Sequence, residues 1–373
     1  MSADGDFEIF LMAAPGLEAA LYAEVLSKRY KAIKQVTGGV MVRGSWPEVW
    51  RANLEIRGAG RVLARLGSFR APLLSQLENR ARRVPWAKVL RPNVPVRVEA
   101  TCSKSRIYHS GAAEERIGTA IRGELGVSIS ADAEVCIRAR IENDVCTLAI
   151  DTSGDLLHKR GYKEAVGKAP MRETMAALFL RQCGFNGTEP VVDPMCGSGT
   201  FIIEAAEIAA GLKPGRARHF AFEKLATFDE AAWQRLCATA NEKVVTPTVR
   251  FHGSDRDSGA IRMSRANAER AGVVGFTDFE QRAINELTAP EGPPGLVIAN
   301  PPYGGRIGDR KQLHELYRAL GQTLLTRFGG WRVGIITNEP ALAKATGLPF
   351  GPASAPVSHG GLRIFLFKTD PLA

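Results

Sequence analysis

Apolar and polar residues alternate along this chain with two different periods, and the switches between them mark its elements. Residues 7–12, Phe-Glu-Ile-Phe-Leu-Met, predict a strand; after Pro15, the residues Leu17, Leu21, Val25 and Leu26 recur at helical spacing. A second strand follows over 40–43, after Gly38-Gly39, and Pro47 starts a second helix. Strand, helix, strand, helix predicts a small α+β unit, with Lys28, Arg29, Lys31, Lys34, Arg51 and Arg57 on the wet faces of its helices. From residue 61 to 155 the pattern repeats on a larger scale. Strands are expected over 62–66 and 94–102, and helices over 73–84 and 114–125. Residues 133–141 alternate apolar and polar residues and turn at Glu142-Asn143-Asp144 into 145–150, which predicts a hairpin.

Beyond residue 170 the rhythm changes. Short apolar runs at 191–192, 249–255, 276–280, 295–299 and 331–337 alternate with helical stretches such as 258–271 and 313–328, and a strand over 362–368 closes the chain. Strands alternating with helices predict a parallel sheet with helices on both faces, here ending in an antiparallel pair. The polar, glycine-punctuated segment 151–162 has a basic centre and is the natural connection between the two halves.

Length and composition set limits on this picture. A chain of 373 residues, 45% hydrophobic and 24% charged, accommodates two or three ordinary domains. No apolar run approaches the ~20 residues that a membrane span needs, and the acidic start, Met1-Ser2-Ala3-Asp4-Gly5-Asp6, lacks the regions of a signal peptide. The six cysteines never form a C-x-x-C pair, so neither zinc nor a disulfide framework is expected, and a cytoplasmic protein with reduced thiols fits best. The formal net charge is +10. Residues 1–168 hold 26 Lys and Arg against 19 Asp and Glu, whereas residues 169–373 hold 23 against 20. A basic half joined to a ligand-binding half suggests a polyanionic substrate, most simply nucleic acid, with a merely solvated basic surface as the plainer explanation.

The chemistry concentrates in three places. The first is Asp193-Pro194-Met195-Cys196-Gly197-Ser198-Gly199-Thr200, set between a short apolar strand and a helix. The glycines let a ligand approach the main chain, and the helix start offers free N–H donors. A dinucleotide fingerprint would need a third glycine, and a phosphate-binding Walker loop would need a lysine; neither is present. The run resembles the D-P-x-C-G-S-G-T motif of class I S-adenosylmethionine-dependent methyltransferases. The second place is Asp255, at the end of its strand, where an acid can accept both hydroxyls of a ribose. Arg256 follows it, and Asp257 either joins it or caps the helix 258–271. The third is Asn300-Pro301-Pro302-Tyr303, where a buried strand ends. Neither proline has an N–H, so the backbone presents acceptors. Asn300 and the Pro301 carbonyl can take both hydrogens of an exocyclic amine and aim its lone pair, while Tyr303 stacks on a base that has left its helix. Positioning rather than a strong base carries such a reaction. Lys104, Arg106 and Tyr108 form a polar, basic, aromatic loop that suits RNA, and His158, Lys159 and Arg160 extend the basic set.

Taken together these residues resemble the THUMP-domain-containing RNA guanine-N2 methyltransferases, above all the bacterial ones acting on 23S ribosomal RNA. The likeness runs through Ala14-Pro15-Gly16-Leu17-Glu18, Asp151–Asp155 with Arg160-Gly161-Tyr162, Ala169-Pro170 with Glu173-Thr174, and the glycine loop. It continues through Gly253–Asp257, Asn300–Gly304 and Phe328-Gly329-Gly330-Trp331. It implies a seven-stranded Rossmann-like class I methyltransferase domain over 171–373. A ferredoxin-like domain over 1–60 and a THUMP domain over 61–155, both α+β, would precede it, with a linker at 156–170. It also implies S-adenosyl-L-methionine as cofactor, with Glu173 and Thr174 joining the loop in holding it, and a monomer acting on RNA, ribosomal rather than transfer. Where such enzymes carry an Asp that takes the adenine amino group, this chain has Ala283, leaving backbone groups or Asn285 to hold adenine. Other outcomes compatible with the residues are transfer RNA guanine-N2, adenine N6, and a non-catalytic RNA-binding protein.

Overall fold

The computed structural model describes residues 5–164, 171–304 and 310–373; Ala169-Pro170 of the resemblance lies outside them. The chain divides into two compact units. One comprises Met1–Met12, Val25–Leu157 and Arg218–Thr239; the other Ala13–Glu24, His158–Ala217 and Ala240–Ala373.

The elements of the first half are β1 (Phe7–Met12), α1 (Glu18–Ser27), β2 (Lys31–Val36), β3 (Gly39–Gly44), α2 (Trp46–Glu55) and β4 (Arg61–Arg70), then α3 (Leu74–Arg82), β5 (Val96–Ser103), α4 (Ser110–Leu125), β6 (Val135–Glu142) and β7 (Val145–Asp151). Its strands form a single sheet in the order β2-β3-β1-β4-β7-β6-β5. The sheet therefore runs on across residue 60, because β4 pairs antiparallel with both β1 and β7. Alternation sets its burial. Ile9, Leu11, Val40, Val42, Val62, Leu148 and Ile150 are fully enclosed, each worth about 1.5–3 kcal/mol. The hairpin β6–β7 closes through Asn143 and Asp144, both at positive φ, as a two-residue turn matching strand twist requires. The structure departs from expectation at β2. Lys31 and Lys34 lie on this exposed edge strand rather than on a helix, and Arg57, beyond α2, is buried.

The same unit takes in a segment distant in sequence, Arg218–Thr239. Phe220 and Phe222 stack at 5.1 Å, and Trp50 meets Phe228 edge-on at 5.9 Å. Arg218 donates to the carbonyls of Ser153, Asp155 and Leu156.

The second half adds α5 (Glu173–Gln182), β8 (Val191–Asp193), α6 (Thr200–Ala209), α7 (Glu230–Asn241), β9 (Phe251–Asp255), α8 (Ser258–Ala271) and β10 (Thr277–Gln281). It ends with β11 (Leu296–Ala299), α9 (Arg310–Arg327), β12 (Arg332–Thr337), α10 (Pro340–Ala345), β13 (Val357–His359) and β14 (Leu362–Lys368). The sheet order is β10-β9-β8-β11-β12-β14-β13. β8 to β12 pair in parallel, and β14 returns antiparallel beside β12. Every residue of β11 is buried, as in a strand covered on both faces. This is the seven-stranded class I methyltransferase sheet with its antiparallel end. The order reverses at β8, so the crevice beyond the ends of β8, β9 and β11 is where such a sheet takes ligands. No described helix is long and apolar enough to cross a membrane.

Candidate active site

Three neighbouring strand ends build the site. After Asp193 the chain turns into α6 through Gly197, at φ +52, and Gly199, at φ +84, angles that glycine takes without strain. A Cβ on Gly199 would stand 2.9 Å from Ser264 Cβ and 3.2 Å from the Phe279 ring, so α8 and β10 pack directly on the loop; one on Gly197 would meet nothing within 4 Å. The loop is tied down on its packed side. Asn267 donates to the Ser198 carbonyl at 3.0 Å, and Cys196 N to the Ser254 carbonyl at 2.9 Å. Asp193 is buried and accepts from Met195 N at 3.1 Å. Burial pushes its carboxyl up to about 8; the hydrogen bond opposes that shift and the nearby Asp255 adds to it.

Asp255 closes β9. Its two oxygens accept from Gly197 N at 3.1 Å and Asp257 N at 3.0 Å, so the carboxylate is fixed beside the glycine loop. Asp257 caps α8, accepting from Gly259 N at 2.7 Å. β11 ends at Ala299 and delivers Asn300, whose Oδ1 is buried and makes no hydrogen bond among the described residues. Tyr303, 8% exposed, follows the two prolines.

These ends open into one cavity of about 1590 Å³, lined by loop residues, by Asp255, by Ala283 and Asn285 beyond β10, and by Asn300 to Tyr303. Residues 160–355 match the family described as RMKL-like methyltransferase domain, 8–63 the RlmL ferredoxin-like domain and 74–151 the THUMP domain. This chain belongs to the RMKL-like methyltransferase family. It is 32% identical over 381 residues to the ribosomal RNA large subunit methyltransferase K/L of Methylococcus capsulatus, covering 98% of this chain and 51% of that protein. It thus spans about half the length of that relative. A Synechocystis protein, slr0064, provisionally named an RNA methyltransferase, is 31% identical, with 97% of this chain and 96% of that one covered. The crystal structure of SMU.472, provisionally a methyltransferase and complexed with S-adenosyl-L-homocysteine, superposes with a TM-score of 0.89 at 27% identity over 99% of both chains.

The class I methyltransferase fold takes S-adenosyl-L-methionine as its cofactor, and this RMKL-like site fits that group. The loop leaves its Gly197 side open, a fixed carboxylate stands beside it, and Asn300, whose buried amide oxygen has no partner among the described residues, lines the same cavity. Of the sequence candidates, Pro194, Met195, Gly197, Ser198, Thr200, Glu173, Asp255, Arg256 and Ala283 line the cavity with Asn300, Pro301, Pro302 and Tyr303. Asp193, Cys196, Gly199 and Thr174 are buried outside the lining and shape it from behind. Burial, then Asp193 and Asp255, push the Cys196 thiol well up.

The RNA candidates divide. Lys104, Arg106 and Tyr108 are exposed in the first unit, Tyr108 at 84%, on a loop fastened to the β6–β7 turn by Arg106 N on Asp144 at 2.8 Å. His158 and Lys159 line the cavity in the second unit. Arg160 lines the same cavity but is 2% exposed, and its Nε lies 3.1 Å from the fully buried Glu204, so the guanidinium is tied into the wall by an ion pair. Sequence reasoning missed other parts of the lining: Lys163, Met171, Arg172, Leu316, Ala319 and His359. They are ordinary residues from separate segments, and only the flanking motifs Arg160-Gly161-Tyr162 and Gly360-Gly361 hinted at them.

Proposed function

We propose that this protein methylates the exocyclic N2 of a guanine in RNA, ribosomal RNA of the large subunit (23S) before transfer RNA, as a monomer in the cytoplasm. The observation that carries the reading is Asn300, on the wall it shares with the glycine loop and Asp255, with an Oδ1 that is buried and has no partner among the described residues. A buried acceptor without a partner costs stability, about 1–3 kcal/mol, and such a cost persists where a ligand supplies the donor. When bound, S-adenosyl-L-methionine supplies an electrophilic methyl group on sulfonium. Asp255 takes the ribose hydroxyls, and the glycine loop with the free N–H groups in the first turn of α6 receives the tail. Ala283 has no acceptor side chain, so Asn285 and backbone groups hold adenine. Asn300 Oδ1 and the Pro301 carbonyl accept the two hydrogens of the target amine, withdrawing its lone pair from the ring and aiming it at the methyl group. Tyr303 stacks on the displaced base. No general base of raised strength is required of the described residues, because orientation does most of the work.

A cavity of about 1590 Å³ exceeds the 300–1,000 Å³ of ordinary single-ligand sites, which supports a cofactor and a nucleotide side by side. RNA rather than DNA is favoured by the THUMP match and by the names of both relatives. The atom N2 rests on the family likeness, since Asn-Pro-Pro-Tyr suits other exocyclic amines equally.

Purified protein, labelled S-adenosyl-L-methionine and total RNA from a strain lacking the gene test this. Labelled N2-methylguanosine in large ribosomal RNA is the expected product. The same nucleoside in small RNA moves the substrate to transfer RNA, and N6-methyladenosine overturns the target atom. Cofactor binding without any label favours a non-catalytic RNA-binding protein.

A further inference from the structure

The turn that opens α1 packs in the catalytic half. Ala14-Pro15-Gly16-Leu17 lies within the ferredoxin-like match, residues 8–63, yet Ala13–Glu24 is part of the second unit. Leu17 N donates to the Ala14 carbonyl at 3.0 Å, with Pro15 and then Gly16, at φ +95, between them. That is a type II turn, whose third position favours glycine. Glu18 accepts from Gly16 N at 2.8 Å, and Leu17 and Leu21 are fully buried. Space is a second constraint on Gly16. A Cβ there would stand 2.2 Å from the Pro356 carbonyl oxygen and 3.3 Å from Val357 Cα. Both are main-chain atoms, which cannot swing aside as the tip of a side chain can. Val357 opens β13. Among the described residues this three-residue strand has a strand neighbour on one side only, pairing Val357 with Ile364 and His359 with Leu362 of β14. Val357 and His359, two apart, share one face of the strand and are both buried. His359 and Gly360 then line the cavity.

Sheet order says which part of the cavity they bound. β8, β9 and β10 lead to the glycine loop, Asp255 and Ala283, and β11 leads to Asn300. β12, β14 and β13 lie on the other side of β11 from those three strands. β14 runs antiparallel to β12, so the turn at Gly360-Gly361 sits at the same edge of the sheet as Asn300. His359 and Gly360 therefore close the cavity on the side left for the nucleotide. We infer that the Pro15-Gly16 turn is a positioning element for this substrate wall. It abuts the main chain at Pro356-Val357 and so sets how far His359 and Gly360 reach in beside Tyr303 and the target base. The inference rests on the proposed methyl transfer and adds to it Gly16, a residue outside the cavity lining.

Gly16→Ala in the full chain tests this, read by methyl transfer to total RNA from a strain lacking the gene and by calorimetry with S-adenosyl-L-homocysteine. Turnover is expected to fall about 100-fold, the cost of an ångström-scale misplacement, while KM for RNA and S-adenosyl-L-homocysteine affinity hold. His359→Ala completes a double-mutant cycle. If Gly16 acts through β13, the double variant is no slower than the slower single variant. Losses that multiply would overturn the route through His359, and wild-type turnover in Gly16→Ala would overturn the inference outright. So would an equal loss of turnover and of S-adenosyl-L-homocysteine binding, the mark of a merely structural glycine. If Gly16→Ala does not fold, Pro15→Ala decides, because it loosens the turn and adds no clash. It should slow transfer about 2- to 5-fold, the order of one proline's constraint, at unchanged S-adenosyl-L-homocysteine affinity; unchanged turnover there overturns the inference. No transfer by wild type would instead overturn the proposed reaction, an outcome distinct from all of these.

Discussion

Two strand ends in this protein carry buried polar groups and treat them in opposite ways. Where β7 ends, Asp151, Thr152 and Ser153 are fully enclosed, and every contact returns to the same unit. Asn53 donates to Thr152 Oγ1 at 3.0 Å and accepts from Ser153 Oγ at 2.7 Å; Thr152 Oγ1 donates to the Val62 carbonyl at 2.7 Å; Asp151 takes Arg61 at 2.5 Å and Arg138 at 3.2 Å. Where β11 ends, Asn300 Oδ1 is buried with nothing to accept from among the described residues. The closed network holds the first sheet together across the junction of β4 and β7. Asn300 itself lines a cavity.

The sharpest way to break that contrast is to truncate both asparagines. Asn300→Ala should lower turnover by about 10²–10³, the usual cost of deleting one preorganised polar contact to a reacting group. Its urea midpoint should stay level or rise, because the lost oxygen has no partner among the described residues. Turnover at the wild-type level would remove Asn300 from the chemistry. Asn53→Ala should do the reverse. Ser153 Oγ loses its acceptor and Thr152 a donor, at a cost on the order of 3 kcal/mol for such buried groups. Turnover per folded molecule should hold. An Asn53→Ala protein as stable as wild type would mean that the network is not closed as described.

The same contrast explains what could be read from the residues alone. The glycine loop and Asn300–Tyr303 were legible because their backbones demand glycine and proline, which few other contexts require in that order. Strands such as β1, β3 and β14 were legible from alternation or apolar runs. β2 was not: its burial is slight, Ala32 sits at positive φ, and the register shifts between Lys31 and Lys34, so no period survives. The attachment of Phe220, Phe222 and Phe228 to the first unit left no local trace either, since nothing near residue 220 names Trp50 as a partner. The missed parts of the cavity lining fail for the same reason. Lys163, Leu316 and His359 become a site only when three distant segments converge, whereas each alone reads as a solvated lysine, a core leucine and a strand histidine.

A smaller effect should appear in how the two units hold their charges. In the first, Arg61 and Arg138 share Asp151, and Arg138 pairs with Glu99 as well, so each cation has a carboxylate. In the second, His158 stands at the cavity wall among Arg172, Arg160, Lys163 and Lys159. Burial first, then those four cations, bring its imidazole down to about 4 from an ordinary 6.5. Between pH 6.5 and 4 the unfolded chain therefore binds more protons at this residue than the folded one does, and stability falls as pH falls through that window. His158→Gln removes the titration. Its stability relative to wild type should be constant above pH 6.5 and should improve steadily from there down to pH 4, as read from urea midpoints. An RNA phosphate bound beside these cations would offset their repulsion, so imidazole titration by NMR should move upward when a short RNA is added. A free-protein value near 6.5 would show that neither burial nor the cations act on His158. An unchanged value with RNA bound would place the phosphates elsewhere, which would leave the basic loop around Tyr108 as the main contact and the cavity as a pocket for the base alone.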